Sequence, residues 1–116
     1  MLFIVLTVAE ARAQTSPVTL GIVGLAHDQA GTFLTTLRGR SDARLVGIVE
    51  TNQELIAQYQ RRFSLGPDLF YTNFDELRQK ARPEAVASFT RTIDHRAVVE
   101  ACAAAGLDVL LEKPLA

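Results

Sequence analysis

Short apolar runs alternate with helix-compatible stretches along most of this chain, and this alternation is the feature that most constrains its fold. Between the runs, apolar residues recur at spacings of three and four, which is the period of an amphipathic helix. The strand-like runs occupy residues 18–23, 45–49, 69–71, 85–89 and 108–111. Strands separated by helices form right-handed βαβ units. The sequence therefore predicts an α/β domain with a doubly wound parallel sheet, Rossmann-like, in the strand order 3-2-1-4-5.

Capping residues and glycines set the expected helix limits. Short polar residues that can cap a helix N-terminus stand before each of the last three helical stretches. These are Asn52, Asn73 or Asp75, and Asp94. The first helix is expected from Gln29 to about Leu37. Glycines that stop helices follow the first, second and last stretches; they are Gly39, Gly66 (before Pro67) and Gly106.

Composition excludes several classes of function. The chain has 116 residues, a net charge of −1 and no block of basic residues, so it lacks the electrostatic footprint of a nucleic-acid-binding or membrane-surface protein. Cys102 is the single cysteine, so no intrachain disulfide forms, and no His/Cys cluster has the spacing of a zinc site. No apolar run approaches the roughly 20 residues that a membrane-spanning helix needs. We therefore expect a small-molecule partner, no nucleic acid and no membrane span.

The first residues differ from the rest of the chain. Residues 2–8 are apolar, and Ala11 and Ala13 have the small-x-small pattern that precedes a signal-peptidase cut. This predicts a signal peptide over residues 1–13, with a mature chain that begins at Gln14 and is periplasmic or secreted. The basic n-region of a signal peptide is missing. The alternative is therefore a short apolar segment at the start of a cytoplasmic protein.

The turn after the first predicted strand is the expected dinucleotide site. It contains Gly24, Leu25, Ala26 and His27, whose backbone would face a pyrophosphate at the N-terminus of the next helix. Against the pattern G-x-G-x-x-G, only the first glycine is present, because Ala26 and Gln29 replace the second and third. The alternative is a strand-to-helix turn that holds no nucleotide.

Glu50 ends the second predicted strand, about 25 residues after that turn. This is near the spacing of the acid that accepts hydrogen bonds from the adenosine ribose hydroxyls in dinucleotide-binding folds. A carboxylate there would repel a 2′-phosphate. The position therefore favours NAD as the cofactor, with NADP less favoured.

The last strand runs directly into Glu112, Lys113 and Pro114, after a helix that ends on Gly106. This order of helix, glycine, strand and Glu-Lys-Pro resembles the end of the nucleotide-binding domain in the Gfo/Idh/MocA oxidoreductases. The resemblance extends over residues 18–116. It implies that Lys113 is the catalytic lysine, near the nicotinamide and the substrate hydroxyl, and that Glu112 belongs to the cofactor site.

The same resemblance covers the segment after the fourth strand. In the family a Thr/Asn-Pro pair follows this strand and a histidine comes a few residues later. Thr90 and His95 match, whereas Arg91 replaces the proline. The resemblance implies that Thr90 and His95 lie at the cofactor site and that Arg91 is placed to contact a phosphate. A histidine in a first helical turn often only packs or caps, and we expect this simpler role for His95.

Two functions follow from these residues. The first is the nucleotide-binding domain of an NAD(P)-dependent oxidoreductase that acts on a sugar-like or polyol hydroxyl, inactive alone because the family's second α/β domain is absent. The alternative is a non-catalytic Rossmann-fold binding domain that no longer holds a dinucleotide. The fifth strand (Val109, Leu110 and Leu111) is expected to be an open apolar edge, so we expect the chain alone either to self-associate, as a homo-oligomer, or to be only marginally stable.

Overall fold

The computed structural model describes residues 16–91 and 94–111 and contains one five-stranded sheet. Every strand pair is parallel, and the strand order is β3-β2-β1-β4-β5. The strands are β1 (Val18–Val23), β2 (Ala43–Val49), β3 (Phe70–Tyr71), β4 (Ala85–Ser88) and β5 (Asp108–Leu111). The predicted fold class and strand order are confirmed. The predicted signal peptide over residues 1–13 lies outside the described residues.

Helices connect these strands at the positions that the sequence predicts. They are α1 (Gln29–Arg38), α2 (Gln53–Phe63), α3 (Phe74–Glu76) and α4 (His95–Ala104). A 3-10 turn (Pro67–Leu69) precedes β3, and a π-helical turn (Leu77–Ala81) follows α3. The predicted start of β3 at Leu69 is wrong because that residue belongs to the 3-10 turn.

The ends of the helices show how local capping decides their length. Asn52 caps α2 as predicted, since its side-chain oxygen accepts from the N–H groups of Glu54 at 3.0 Å and Leu55 at 3.3 Å. The predicted end of α2 at Gly66 is wrong, because Ser64 adopts a left-handed conformation with φ 55°. The N–H of Ser64 donates to the carbonyl of Gln60, which closes the helix without a glycine.

The other two predicted caps have different outcomes. Asn73, rather than Asp75, caps α3, and its side chain accepts from the N–H of Glu76 at 2.8 Å. Asp94 precedes α4 but does not cap it with its side chain. Its carboxylate lies 3.4 Å from Nε of Arg91. The cap predicted at Asp94 is therefore wrong, because the carboxylate turns toward a cation rather than toward the helix N-terminus.

The sheet is covered on both faces, because successive strand residues point in opposite directions. On one face Ile22 and Ala87 pack with residues of α1 and α2, including Leu34 and Phe63. On the other face the buried cluster comprises Val23, Leu77, Val86, Val98 and Cys102. The continuous apolar strands in the sequence reflect this double coverage.

Two strand glycines make room for Leu77, which is fully buried. A methyl group on Gly47 would lie 2.5 Å from Cδ1 of Leu77, and one on Gly21 would lie 2.9 Å from Cδ2. Both distances are shorter than van der Waals contact. These glycines therefore allow the π-helical turn to pack directly on β1 and β2.

The strand β5 forms the end of the sheet, as predicted, and pairs only with β4 among the described strands. Leu110 on this strand is 58% exposed. Among the described residues, no helix is long and apolar enough to cross a membrane.

Candidate functional site

Three loops meet at the carboxyl edge of the sheet, after β1, β2 and β4. We call residues 24–28, 50–52 and 89–91 the three-loop site. Gly24 has φ +85°, and its N–H donates to the carbonyl of Val49 at 2.8 Å. A methyl group on Gly24 would lie 2.5 Å from Cγ2 of Thr90 and 3.1 Å from its Cα. The first and third loops are therefore in direct contact, at the point where the strand order reverses direction.

The carboxylate of Glu50 binds two of these loops at once. Its Oε1 accepts from the N–H of Leu25 at 2.8 Å. Its Oε2 accepts from the N–H groups of Thr51 at 2.9 Å and Asn52 at 3.0 Å. Hydrogen bonds to an ionised acceptor are stronger than those between neutral groups. Glu50 is thus held at the glycine turn itself, and its role as a ribose-binding acid stays a prediction.

The turn between β1 and α1 has both satisfied and unsatisfied backbone donors. The N–H of His27 donates to the carbonyl of Phe89 at 2.9 Å, and the N–H of Gln29 donates to Nδ1 of His27 at 3.2 Å. Within the described ranges, the N–H groups of Ala26 and Asp28 have no protein acceptor. Free N–H donors at the start of a helix form an anion site. The turn therefore retains donors for a pyrophosphate although Ala26 and Gln29 replace two glycines.

Thr90 contacts two buried residues behind the third loop, Ser88 and His95. Its hydroxyl lies 3.0 Å from Oγ of Ser88, which is fully buried. Its carbonyl lies 3.3 Å from Nε2 of His95, which is 3% exposed. Because a carbonyl can only accept, Nε2 carries the proton in this hydrogen bond. His95 contacts the back of the third loop and so packs against it, while its Nδ1 has no hydrogen-bond partner among the residues that the structure describes.

Arg91 lies at the outer rim of the three-loop site. Its side chain is 75% exposed and pairs with Asp94 at 3.4 Å. The pairing partly neutralises the cation that the sequence offers to a phosphate. Glu112 and Lys113, the two other predicted site residues, lie outside the described residues.

A cavity of about 360 Å³ borders Glu50 on the β3 side. Its lining combines apolar side chains with hydroxyl and amide groups. The residues include Glu50, Thr51, Ile56, Phe70, Tyr71 and Thr72. The cavity therefore offers both apolar surface and hydrogen-bonding groups beside Glu50. Sequence patterns miss this cavity because its walls come from the loop after β2, from α2 and from β3.

Sequence reasoning also misses the acceptors that bind the loops together. The carbonyls of Val49 and Phe89 are backbone groups, so no residue type marks them. Ser88 does leave a signal, because it is a polar residue at the end of an apolar strand. A buried hydroxyl requires a hydrogen-bond partner. A serine at the end of this strand therefore indicates a contact with the loop that follows β4.

Comparisons with known proteins agree with this architecture. The sequence model of the family GFO_IDH_MocA, described as an oxidoreductase family with an NAD-binding Rossmann fold, matches residues 18–116. No curated protein sequence matches the chain significantly. The chain spans only about 30% of the length of each of the solved structures named next.

Three of these solved structures illustrate the range. The apo scyllo-inositol dehydrogenase of Lactobacillus casei has a TM-score of 0.73 at 21% identity, over 88% of this chain and 30% of its own. The biliverdin reductase of Synechocystis sp. PCC 6803, in complex with biliverdin and NADP+, has a TM-score of 0.74 at 28% identity, over 87% of this chain and 31% of its own. An oxidoreductase of Agrobacterium radiobacter, in complex with NAD+, L-tartaric acid and magnesium, has a TM-score of 0.76 at 19% identity, over 87% of this chain and 29% of its own.

Proposed function

The chain belongs to the Gfo/Idh/MocA family of oxidoreductases, and from that membership we propose that its three-loop site binds NAD for an enzyme that oxidises a sugar-like or polyol hydroxyl. The observation that carries the proposal is the carboxylate of Glu50, hydrogen-bonded to the N–H of Leu25 at 2.8 Å. This contact places the acid beside the glycine turn at the switch point of the sheet. The nucleotide-binding unit of the proposal is residues 18–116.

The pyrophosphate would be held by the start of α1. The N–H groups of Ala26 and Asp28 are free for it, and the helix dipole adds a favourable potential there. Ala26 is an exposed residue. The side chain of Asp28 opposes binding, because it adds an exposed negative charge at the same turn. We therefore expect weaker binding than at a turn with all three glycines.

Glu50 favours NAD over NADP. Three backbone N–H groups already donate to its carboxylate, one to Oε1 and two to Oε2, which leaves about one lone-pair site, on Oε1, for a ribose hydroxyl. A 2′-phosphate would meet the carboxylate instead. Arg44 cannot offset that repulsion, because it stands at the opposite end of β2, about 20 Å away by strand rise. Arg40 is held by Asp42 in two hydrogen bonds.

The nicotinamide ring, when bound, exchanges a hydride with the substrate carbon. Within this chain, the contact of Thr90 with Gly24 fixes the third loop against the first, and His95 supports that loop from behind. Lys113 is proposed to hold the substrate hydroxyl and polarise its oxygen, as the Glu-Lys-Pro motif of the family implies. The substrate class is proposed from the same family motif.

Calorimetric titration with NAD+ and NADP+ tests the proposal. We expect saturable binding of NAD+ that is about tenfold tighter than binding of NADP+. The repulsion between the Glu50 carboxylate and a 2′-phosphate is expected to cost roughly 1.4 kcal/mol, which is a factor of ten in affinity. Glu50→Ala should reduce that ratio toward one. Glu84→Ala is the matched control, because Glu84 binds Thr19 at the other edge of the sheet. It should leave both affinities unchanged.

Two results would contradict the proposal. Heat from neither dinucleotide, in a chain whose circular dichroism shows a folded α/β domain, would favour a non-catalytic binding domain. Tighter binding of NADP+ would show that Glu50 does not face the ribose. Assays of NAD+ reduction with sugars and polyols measure activity separately from binding, and any turnover that they detect should be lost in Lys113→Ala.

Export and association are separate parts of the proposal. Residues 1–13 are proposed as a signal peptide, so the mature N-terminus should be Gln14 when the gene is expressed in a bacterium. Recovery of intact Met1 protein from the cytoplasm alone would refute this. The exposed Leu110 on the sheet edge supports self-association. Light scattering during gel filtration measures it, and a monodisperse monomer would refute it.

A further inference from the structure

A second cavity lies at the amino edge of the sheet, on the far side from the three-loop site. Its volume is about 350 Å³, within the range of small-molecule sites. It opens between the last turns of α1 and α2 and the beginning of β2. Its apolar lining comprises Leu34, Leu37, Leu45, Phe63, Leu65 and Leu69. Leu34 and Phe63 are buried core residues, so the cavity reaches into the hydrophobic core.

Three arginines border this apolar lining, and they differ in how far they are neutralised. Arg40 forms two short hydrogen bonds with Asp42, at 2.7 and 2.6 Å. Arg38 belongs to the last turn of α1, where a cation complements the helix dipole, and it lies 5.7 Å from the ring of Phe63. Arg44 is an exposed strand residue with no acidic partner in the described parts of the chain.

The helix dipole therefore accounts for the position of Arg38, and the ion pair with Asp42 accounts for that of Arg40. Neither interaction accounts for an arginine at position 44. A guanidinium that borders an apolar cavity and has no carboxylate of its own is complementary to a ligand carboxylate, which it can bind through two parallel hydrogen bonds. A cationic ligand is disfavoured by the same three arginines. A purely apolar ligand would leave Arg44 without a partner.

We propose that this amino-edge cavity binds a small amphipathic carboxylate, with its hydrocarbon part among the leucines and Phe63 and its carboxylate on Arg44. The site is independent of the dinucleotide site because it lies at the opposite end of the strands. Its ligand class follows from the combination of a deep apolar floor with one unneutralised arginine at the rim.

Octanoate is a suitable probe, and methyl-resolved NMR of the full chain is the measurement. Titration should shift the methyl signals of Leu34, Leu37 and Leu45 in a saturable manner. Octan-1-ol, with the same hydrocarbon chain and no charge, should bind at least about fivefold more weakly. Octylammonium should bind more weakly still.

Two variants make the test specific. Arg44→Gln should bind octanoate and octan-1-ol with similar affinities, and its exposed position should leave folding intact. Arg78→Gln is the matched control, because Arg78 is an exposed arginine that lines a different cavity, between α3 and α4. It should retain the full preference for octanoate.

The proposal is overturned if octanol binds as tightly as octanoate, or if Arg44→Gln keeps the preference. It is also overturned if the octanoate-dependent methyl shifts concentrate at Leu110 and Leu111, which line a separate groove. The absence of saturable shifts in a folded sample would equally exclude the site.

Discussion

The two edges of the sheet differ in how far their polar contacts are buried. At the carboxyl edge, part-buried contacts join different loops, such as the carboxylate of Glu50 with the N–H of Leu25. At the amino edge these contacts are exposed, both the local ion pair of Arg40 with Asp42 and the hydrogen bonds between Glu84 and Thr19, which are 65 residues apart in sequence. One edge therefore fixes loops relative to each other, and the other leaves a cavity between helix ends.

This difference indicates where precise geometry is required. Long-range contacts with buried groups hold loops in one arrangement, as a cofactor site needs. Exposed ion pairs contribute little to stability and do not order distant segments. Asp42 is exposed, and the guanidinium of Arg40 lowers the pKa of the Asp42 carboxyl mainly through the hydrogen bond between the two side chains. The four predictions below compare the two edges directly.

The largest effect is expected for Gly24→Ala at the carboxyl edge. Alanine would adopt φ +85° with strain, and its methyl group would overlap Thr90. We expect the free energy of unfolding to fall by about 3 kcal/mol, since left-handed strain alone costs about 1–3 kcal/mol. Urea denaturation measures this loss.

Gly66→Ala is the matched control at the amino edge. Gly66 has φ −74°, which alanine adopts freely, and a methyl group there contacts nothing within 4 Å. The variant should be as stable as the original chain, or slightly more stable because alanine restricts the unfolded state. Equal losses in both variants would mean that the three loops are not held as described.

Glu50→Gln should give the second largest effect. Glu50 uses one oxygen for Leu25 and the other for Thr51 and Asn52. In glutamine one of these oxygens becomes an NH2 group, which faces a backbone donor and cannot accept from it. We expect a loss of about 1–2 kcal/mol in chemical denaturation.

Glu84→Gln is the control at the amino edge. Glu84 accepts from the N–H and the hydroxyl of Thr19 through a single oxygen, which the carbonyl of glutamine can replace. Its stability should stay within about 0.5 kcal/mol of the original. A larger loss for Glu84→Gln than for Glu50→Gln would reverse the comparison.

The sequence predicts the fold well because periodicity and capping are local. The strand order and the cap at Asn52 follow from patterns that span a few residues. The C-terminal end of α2 and the side-chain cap before α4 are predicted wrongly. Ser64 ends a helix without glycine, and Asp94 has an arginine within reach. Both outcomes depend on which of two local interactions is stronger, and residue types alone do not decide this.

The candidate site is predicted in position but not in detail. Glu50, Gly24 and Thr90 are marked by their places after strands. Their mutual contacts depend on the backbone carbonyls of Val49 and Phe89, which every residue type has. The amino-edge cavity has no sequence signal at all. Its leucines have the periodicity of ordinary core residues, and only their packing reveals the space between them.

Thr90→Val should have a smaller effect at the carboxyl edge. Valine keeps the shape that contacts Gly24 but removes the hydroxyl 3.0 Å from the buried Oγ of Ser88. We expect a loss of about 1 kcal/mol, because Ser88 then lacks this partner. Thr36→Val is the control, since Thr36 is exposed on α1. If the two variants lose equal stability in urea, the hydroxyl pair does not contribute to holding the loop.

The smallest effect concerns alkaline pH and the core between the two edges. Burial raises the pKa of the Tyr59 hydroxyl, so the folded state favours the protonated phenol. Its contribution to stability is complete below the ordinary pKa near 10 and is lost as the pH rises through the folded value. Tyr59→Phe should therefore reduce the fall in unfolding free energy between neutral and strongly alkaline pH. Burial also raises the pKa of the Cys102 thiol, and the contribution of this thiol to the alkaline loss of stability is the same in both chains. An unchanged alkaline slope would show that the phenol reaches solvent, and that the core beside α1 opens more readily than its packing indicates.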